Sequence, residues 1–168
     1  MKNLVVTDKD IPNHLFKNSV IVNLNNISYS TCTGGLECLK YEGSCYFKDD
    51  MSLISKWMND CQLIIYVSKI KYGCFDIPFK RMLERLVVNQ EPYYTFVDGE
   101  TCHLGISQLK KKLLVIGYGH VSDEEKNIFK DLLDVSTLGY SYSSIDTYFC
   151  EENELEDVLR TFGGVDHV

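Results

Sequence analysis

The sequence predicts an α/β protein of three layers, built on a doubly wound, parallel, five-stranded sheet. Three observations predict it. Short, β-branched apolar runs recur along the chain, and segments with helical spacing fill the gaps between them. Two of the apolar runs are nearly continuous, as strands covered on both faces should be. No linker rich in Pro, Gly or Ser, no internal repeat and no low-complexity tract interrupts the 168 residues, so one domain over 1–168 is expected.

The elements follow in order. Asn3-Leu4-Val5-Val6-Thr7 and Ser19 to Leu24 read as the first two strands. A helix is predicted over Asp50 to Met58, where Met51, Ile54, Trp57 and Met58 fall three and four apart and Asp49 or Asp50 can cap the start. Gln62 to Ser68 (QLIIYVS) is the clearest strand. A helix over Asp76 to Leu86 has an N-cap candidate and an early proline. Asn89 to Gln108 is irregular and aromatic around an Asp98-Gly99 turn, which predicts a hairpin or flap inserted over 89–110, either a plain excursion, a dimer contact or a lid. Lys112 to Gly117 is the fourth strand. Ser122 and Glu125 form a capping box ahead of Ile128, Phe129, Leu132 and Leu133. A last strand over Ser144 to Phe149 precedes a helix from Glu154 to Phe162, stopped by Gly163-Gly164.

Composition bounds the function. Net charge is −7 and the pI about 5.0, which speaks against a nucleic-acid partner. No apolar run approaches the ~20 residues that cross a bilayer, and the N-terminal segment lacks a signal peptide's apolar stretch, so no membrane partner and a cytoplasmic location are expected. Seven cysteines in a reducing compartment should be mostly free thiols.

Ligands on such sheets bind beyond the carboxyl ends of the strands. Two segments there pair glycine with an aromatic: Ser68-Lys69-Ile70-Lys71-Tyr72-Gly73 and Gly117-Tyr118-Gly119-His120. Glycine lets a planar ligand approach backbone, and Tyr72 or Tyr118 can stack on a ring.

The order of motifs CTGGLECLKYEGSC, KDDM, LIIYVSKIKYG and FKRMLERL, from Leu24 to Leu86, resembles the NAD(P)H-dependent FMN reductase family and its iron–sulfur flavoprotein relatives. The resemblance implies a flavodoxin-like fold, bound FMN, NAD(P)H as electron donor, a small-molecule or flavin acceptor, and a homodimer. The flavin supplies that chemistry, so no side chain is singled out as catalytic. By position, Ser68 to Gly73 would line the flavin ring edge and Gly117, Tyr118, Gly119 and His120 the opposite wall. Lys80, Glu84 and Arg85 match a family stretch and read as helix ion pairs or a dimer contact.

Three departures from the pattern matter. Gly35 stands where iron–sulfur members carry a cysteine, which leaves Cys32, Cys38 and Cys45; neither an iron–sulfur cluster nor another metal is expected, and the plain reading is a thiol-bearing loop. The family's hydroxyl- and glycine-rich phosphate loop is replaced by Thr7-Asp8-Lys9-Asp10-Ile11-Pro12-Asn13-His14, with only about a dozen residues before the next strand, near the minimum for a crossover. Thr7, Lys9 and Asn13 remain to touch a phosphate, whereas Asp8 and Asp10 would repel it. Lys69 and Lys71 replace the usual ring-loop residues and either steady a reduced flavin, bind an anionic phosphate from another direction, or simply face solvent. Two functions follow: an FMN-binding NAD(P)H-dependent oxidoreductase, or a flavodoxin-fold protein that has lost FMN and acts as a structural or interaction module.

Overall fold

A computed structural model of the chain describes residues 3–40 and 44–163. Five parallel strands form the sheet: β1 (Asn3–Thr7), β2 (Ser19–Asn23), β3 (Leu63–Lys71), then β7 (Lys111–Tyr118) and β8 (Tyr142–Cys150), in the order β2-β1-β3-β7-β8. The two-residue β4 (Cys74–Phe75) pairs antiparallel with the end of β3, and β5 (Gln90–Val97) with β6 (Glu100–Gly105) makes a separate hairpin. The helices are α1 (Glu37–Lys40), α2 (Met51–Asp60), α3 (Ile77–Arg85), α4 (Asp123–Thr137) and α5 (Leu155–Gly163). Strand order reverses between β1 and β3, the place where open sheets of this kind bind ligands.

The sheet has unequal covers. Side chains alternate along each strand, so Leu4, Val6, Ile64, Tyr66, Leu113 and Val115 point to one face. There α2, α3 and α4 bury Ile54, Phe79, Met82 and Phe129 against them. Val5, Ile65, Val67, Leu114 and Ile116 point the other way, where α5 and a 3-10 turn at Asn13–Leu15 cover them with Leu155, Leu159, Leu15 and Phe16. A doubly wound sheet would carry a helix in the first crossover. Here β1 and β2 pair in parallel across a connection holding only that 3-10 turn. Pro12 begins it, and eleven residues leave no room for a packed helix.

Two local readings are sharpened. β3 runs through Lys71, three residues beyond the apolar segment, because Ile70 alternates back into the core and Lys69 still pairs with Tyr118. Asp50 does not cap α2 with its side chain. Its carboxylate accepts the Ser28 N–H and ties the preceding loop, whereas Asp49 accepts the N–H of Met51, the first residue of α2, as well as that of Ser30, so it is the acid that reaches the helix start. The capping box at Ser122 and Glu125 and the N-cap at Asp76 form as expected.

The 90–105 hairpin turns at Asp98-Gly99, both at positive φ as a tight hairpin requires. Its base is tied by Gly105 N–H to Gly139 O and by Ile106 N–H to Asn89 O. These contacts set it at the amino ends of the strands, away from the switch-point crevice. As a lid over that crevice it is misplaced, whereas Tyr93, Tyr94 and Phe96 stand exposed on it.

Candidate functional site

The crevice at the carboxyl ends is organised by one carboxylate. Asp8, the first residue after β1, is buried. Its Oδ2 accepts from Ser68 Oγ at 2.9 Å and from the Lys69 N–H at 3.0 Å, and its Oδ1 accepts from the Tyr118 hydroxyl at 2.8 Å. Its own N–H donates to Val67 O. One side chain therefore clasps the ends of β1, β3 and β7. Burial raises the carboxyl above its ordinary value, against the lowering pull of Tyr118, Lys69 and Ser68. Burial likewise pushes the Tyr118 phenol up, and the neighbouring Asp8 charge adds to it.

A second acid closes the outside. Glu152, just past β8, binds Lys9 Nζ through Oε1 at 2.8 Å and Lys69 Nζ through Oε2 at 2.9 Å. Those two hydrogen bonds hold the Glu152 carboxyl down at about 2. Lys9 also lies over the Tyr118 ring, 5.3 Å from its centroid. Thr7 turns inward: its hydroxyl donates to Lys9 O at 2.8 Å and accepts from Lys9 N at 3.0 Å.

Of the residues read as a flavin site, Thr7, Lys9, Ser68, Lys69 and Tyr118 come together in this clasp. The others do not join it. Ile70 is core, and the Gly117 α-carbon is pressed between Ile70 and Phe149 side chains. Lys71 pairs with Asp76 at 2.8 Å. Tyr72 stands 91% exposed at the tip of the β3–β4 hairpin. Gly73, at φ +67°, folds that tip onto α4, where an added Cβ would meet Ile128 Cγ2 at 2.8 Å. Gly119 donates its N–H to Cys150 O, and exposed His120 reaches Glu151 at 3.1 Å. Glu152 carried no sequence expectation; the acid pair directly after the last strand was the available signal.

The cysteine loop is lashed to α3. Arg85, its side chain 1% exposed, forks onto Asp49 with Nη1–Oδ2 at 2.8 Å and Nη2–Oδ1 at 2.9 Å. It also donates to Ser30 O and to Cys45 Sγ. Arg81 donates to Tyr29 O and lies over the Tyr29 ring. Arg85 thus works as an internal tie across 36 residues rather than as a surface ion pair within its helix. Cys32, Cys38 and Cys45 are free thiols; burial, then the nearby Cys45, pushes the Cys38 thiol up. Among the described residues, no group of three or more His, Cys, Asp or Glu side chains is placed to hold a metal ion. Nor is any helix among them long and apolar enough to cross a membrane.

No family model matches the chain, and no curated protein sequence matches it. Solved structures do. An FMN-dependent NADH-azoreductase from Bacillus anthracis, in complex with FMN, superposes with a TM-score of 0.61 at 11% identity over 97% of this chain and 96% of that one. Smu.1420 from Streptococcus mutans reaches 0.67 at 10% identity, covering 97% of each chain. An NAD(P)H:quinone oxidoreductase from Methanothermobacter marburgensis reaches 0.63 at 8% identity, covering 97% and 95%. The fold is flavodoxin-like. At such identities the likeness extends to the fold alone.

Within that flavodoxin-like frame, an FMN phosphate would need donors and positive charge at the end of β1. The frame offers the reverse. No α-helix N-terminus follows β1, the crevice donors of Ser68, Lys69 and Tyr118 are spent on Asp8, and both nearby lysines are already engaged by the single carboxylate of Glu152. These residues do not fit the phosphate of FMN. The largest cavity described, about 740 Å³, adjoins this end of β1: it runs along the free edge of β2 from Thr7, Asp10, Asn23 and Asn26 to Ile21, Leu53 and Trp57.

Proposed function

We propose that this chain is a flavodoxin-fold module that has given up FMN and works by association rather than by hydride transfer. The observation that carries the reading is Asp8: an acid stands directly after β1, where a phosphate anchor is expected, and takes up the Ser68, Lys69 and Tyr118 donors of the crevice. A second copy of the chain is the partner we infer. The unpaired backbone of edge strand β2, the groove beside it and the aromatic hairpin tip support association. Titration of the purified chain with FMN tests the reading. It predicts a colourless protein that leaves flavin fluorescence and absorbance unchanged. A yellow protein that oxidises NADH or NADPH would overturn it. Sedimentation analysis tests the partner: a dimer supports it and a monomer at all concentrations refutes it.

A second reading, an FMN-binding NAD(P)H-dependent oxidoreductase passing electrons to a small-molecule or flavin acceptor, is favoured by the solved neighbours, whose names describe azoreductases and quinone oxidoreductases. In it the ring would rest against Tyr72 and Gly119 without a phosphate anchor. The same titration separates the two.

A further inference from the structure

A second cavity lies at the other end of the sheet, under the amino ends of β3, β7 and β8. Its volume is about 190 Å³. At ~30 Å³ per water that is room for roughly six waters, or for one small aromatic acid. Leu113, Leu133, Ile64 and Phe75 form its apolar body. Tyr66, Tyr140 and Tyr142 also line it, and neither the Tyr66 nor the Tyr142 hydroxyl has a strong partner: Tyr66 OH meets only Met58 Sδ at 3.9 Å.

Lys111 also lines the cavity, at the start of β7 and on the same face as Leu113. It is only 6% exposed. Lysine is almost never buried to that degree without a partner. Yet among the described residues its ammonium group makes no hydrogen bond and no ion pair; Asp60 and Cys61 act on it only at longer range. Burial accordingly holds its pKa below the ordinary value. A largely buried cation whose nearest carboxylate, Asp60, makes no ion pair with it carries a desolvation cost that a bound anion would offset.

We propose that this cavity binds a small organic acid, its carboxylate set against Lys111 and the tyrosine hydroxyls and its apolar body among Leu113, Leu133 and Phe75. A single cation matches a monoanion. A phosphate dianion would be stripped of water against apolar walls with one charge to meet it, so a carboxylate is the better fit. This site is independent of the crevice and of the reading given for it.

Benzoate is the probe, with benzamide as its uncharged isostere. The full chain should bind benzoate saturably in ligand-observed NMR and calorimetry and melt at a higher temperature with it. Benzamide should bind at least about tenfold more weakly, and Lys111→Met should weaken benzoate by a similar factor while leaving the far-ultraviolet spectrum unchanged. Absence of saturable benzoate binding, equal binding of benzamide, or undiminished binding by a folded Lys111→Met chain would overturn the proposal. Should that variant fail to fold, the benzoate and benzamide comparison on the native chain decides alone.

Discussion

Arg85 and Asp49 carry the sharpest consequences at the scale of single residues. Removing one partner of a buried pair leaves the other charge without compensation. Asp49→Ala should therefore cost about 3 kcal/mol in urea denaturation. The Asp49 carboxyl sits below its ordinary value because Arg85 and the Ser30 N–H outweigh burial. Its stabilisation is present above the unfolded value of 3.8 and fades as pH falls below it, so the gap between native and variant should narrow in acid. Asp8 has the opposite sign. Its folded pKa is raised, so between 3.8 and that raised value the native state holds the extra proton and stability drops as pH rises. Asp8→Asn keeps the shape and can still accept from Ser68 and Lys69. It should match or exceed native stability at neutral pH, with its relative gain appearing as pH climbs from 3.8. Denaturation curves across that range check both signs.

Among the elements, α4 and the β3–β4 hairpin depend on each other. Ser122 accepts the Glu125 N–H, and Ser122→Ala should cost about 1 kcal/mol of stability. Gly73→Ala would place a side chain at positive φ and drive its Cβ against Ile128, a loss of about 1–2 kcal/mol or more with no flavin involved. A weakened variant at Gly73 thus reports on folding, whereas fully exposed Tyr72 can be cut to Ala at no cost to the fold. Helices and strands were legible wherever periodicity and capping residues agreed, as at Ser122, Asp76 and the apolar run from Leu63. The end of β3 was not legible, because Lys69 and Lys71 look like loop residues: their charges hide a strand that continues through Ile70. Where the candidate ring-loop residues converge was not legible either. Sequence order puts Ser68, Lys69 and Tyr118 at the strand ends, but nothing local says that their polar groups converge on Asp8. Glu152 lies 143 residues from Lys9, and only the sheet order brings them together.

Across the whole molecule, the short first crossover is the decisive feature. It removes the helix whose N-terminus would hold a phosphate, leaves α5 and a 3-10 turn to cover one face of the sheet, and opens a groove along β2. The two ends of the sheet then differ in character. The carboxyl end, where flavodoxin-like proteins hold ligands, is knit together by Asp8 and Glu152. The amino end keeps an open cavity around a buried lysine. The most direct test of the closed crevice is an FMN titration followed by flavin fluorescence, run on the native chain beside Tyr72→Ala. Unchanged emission with both proteins is the result expected. Stoichiometric quenching by the native chain, lost in Tyr72→Ala, would contradict it and return the flavin to the crevice.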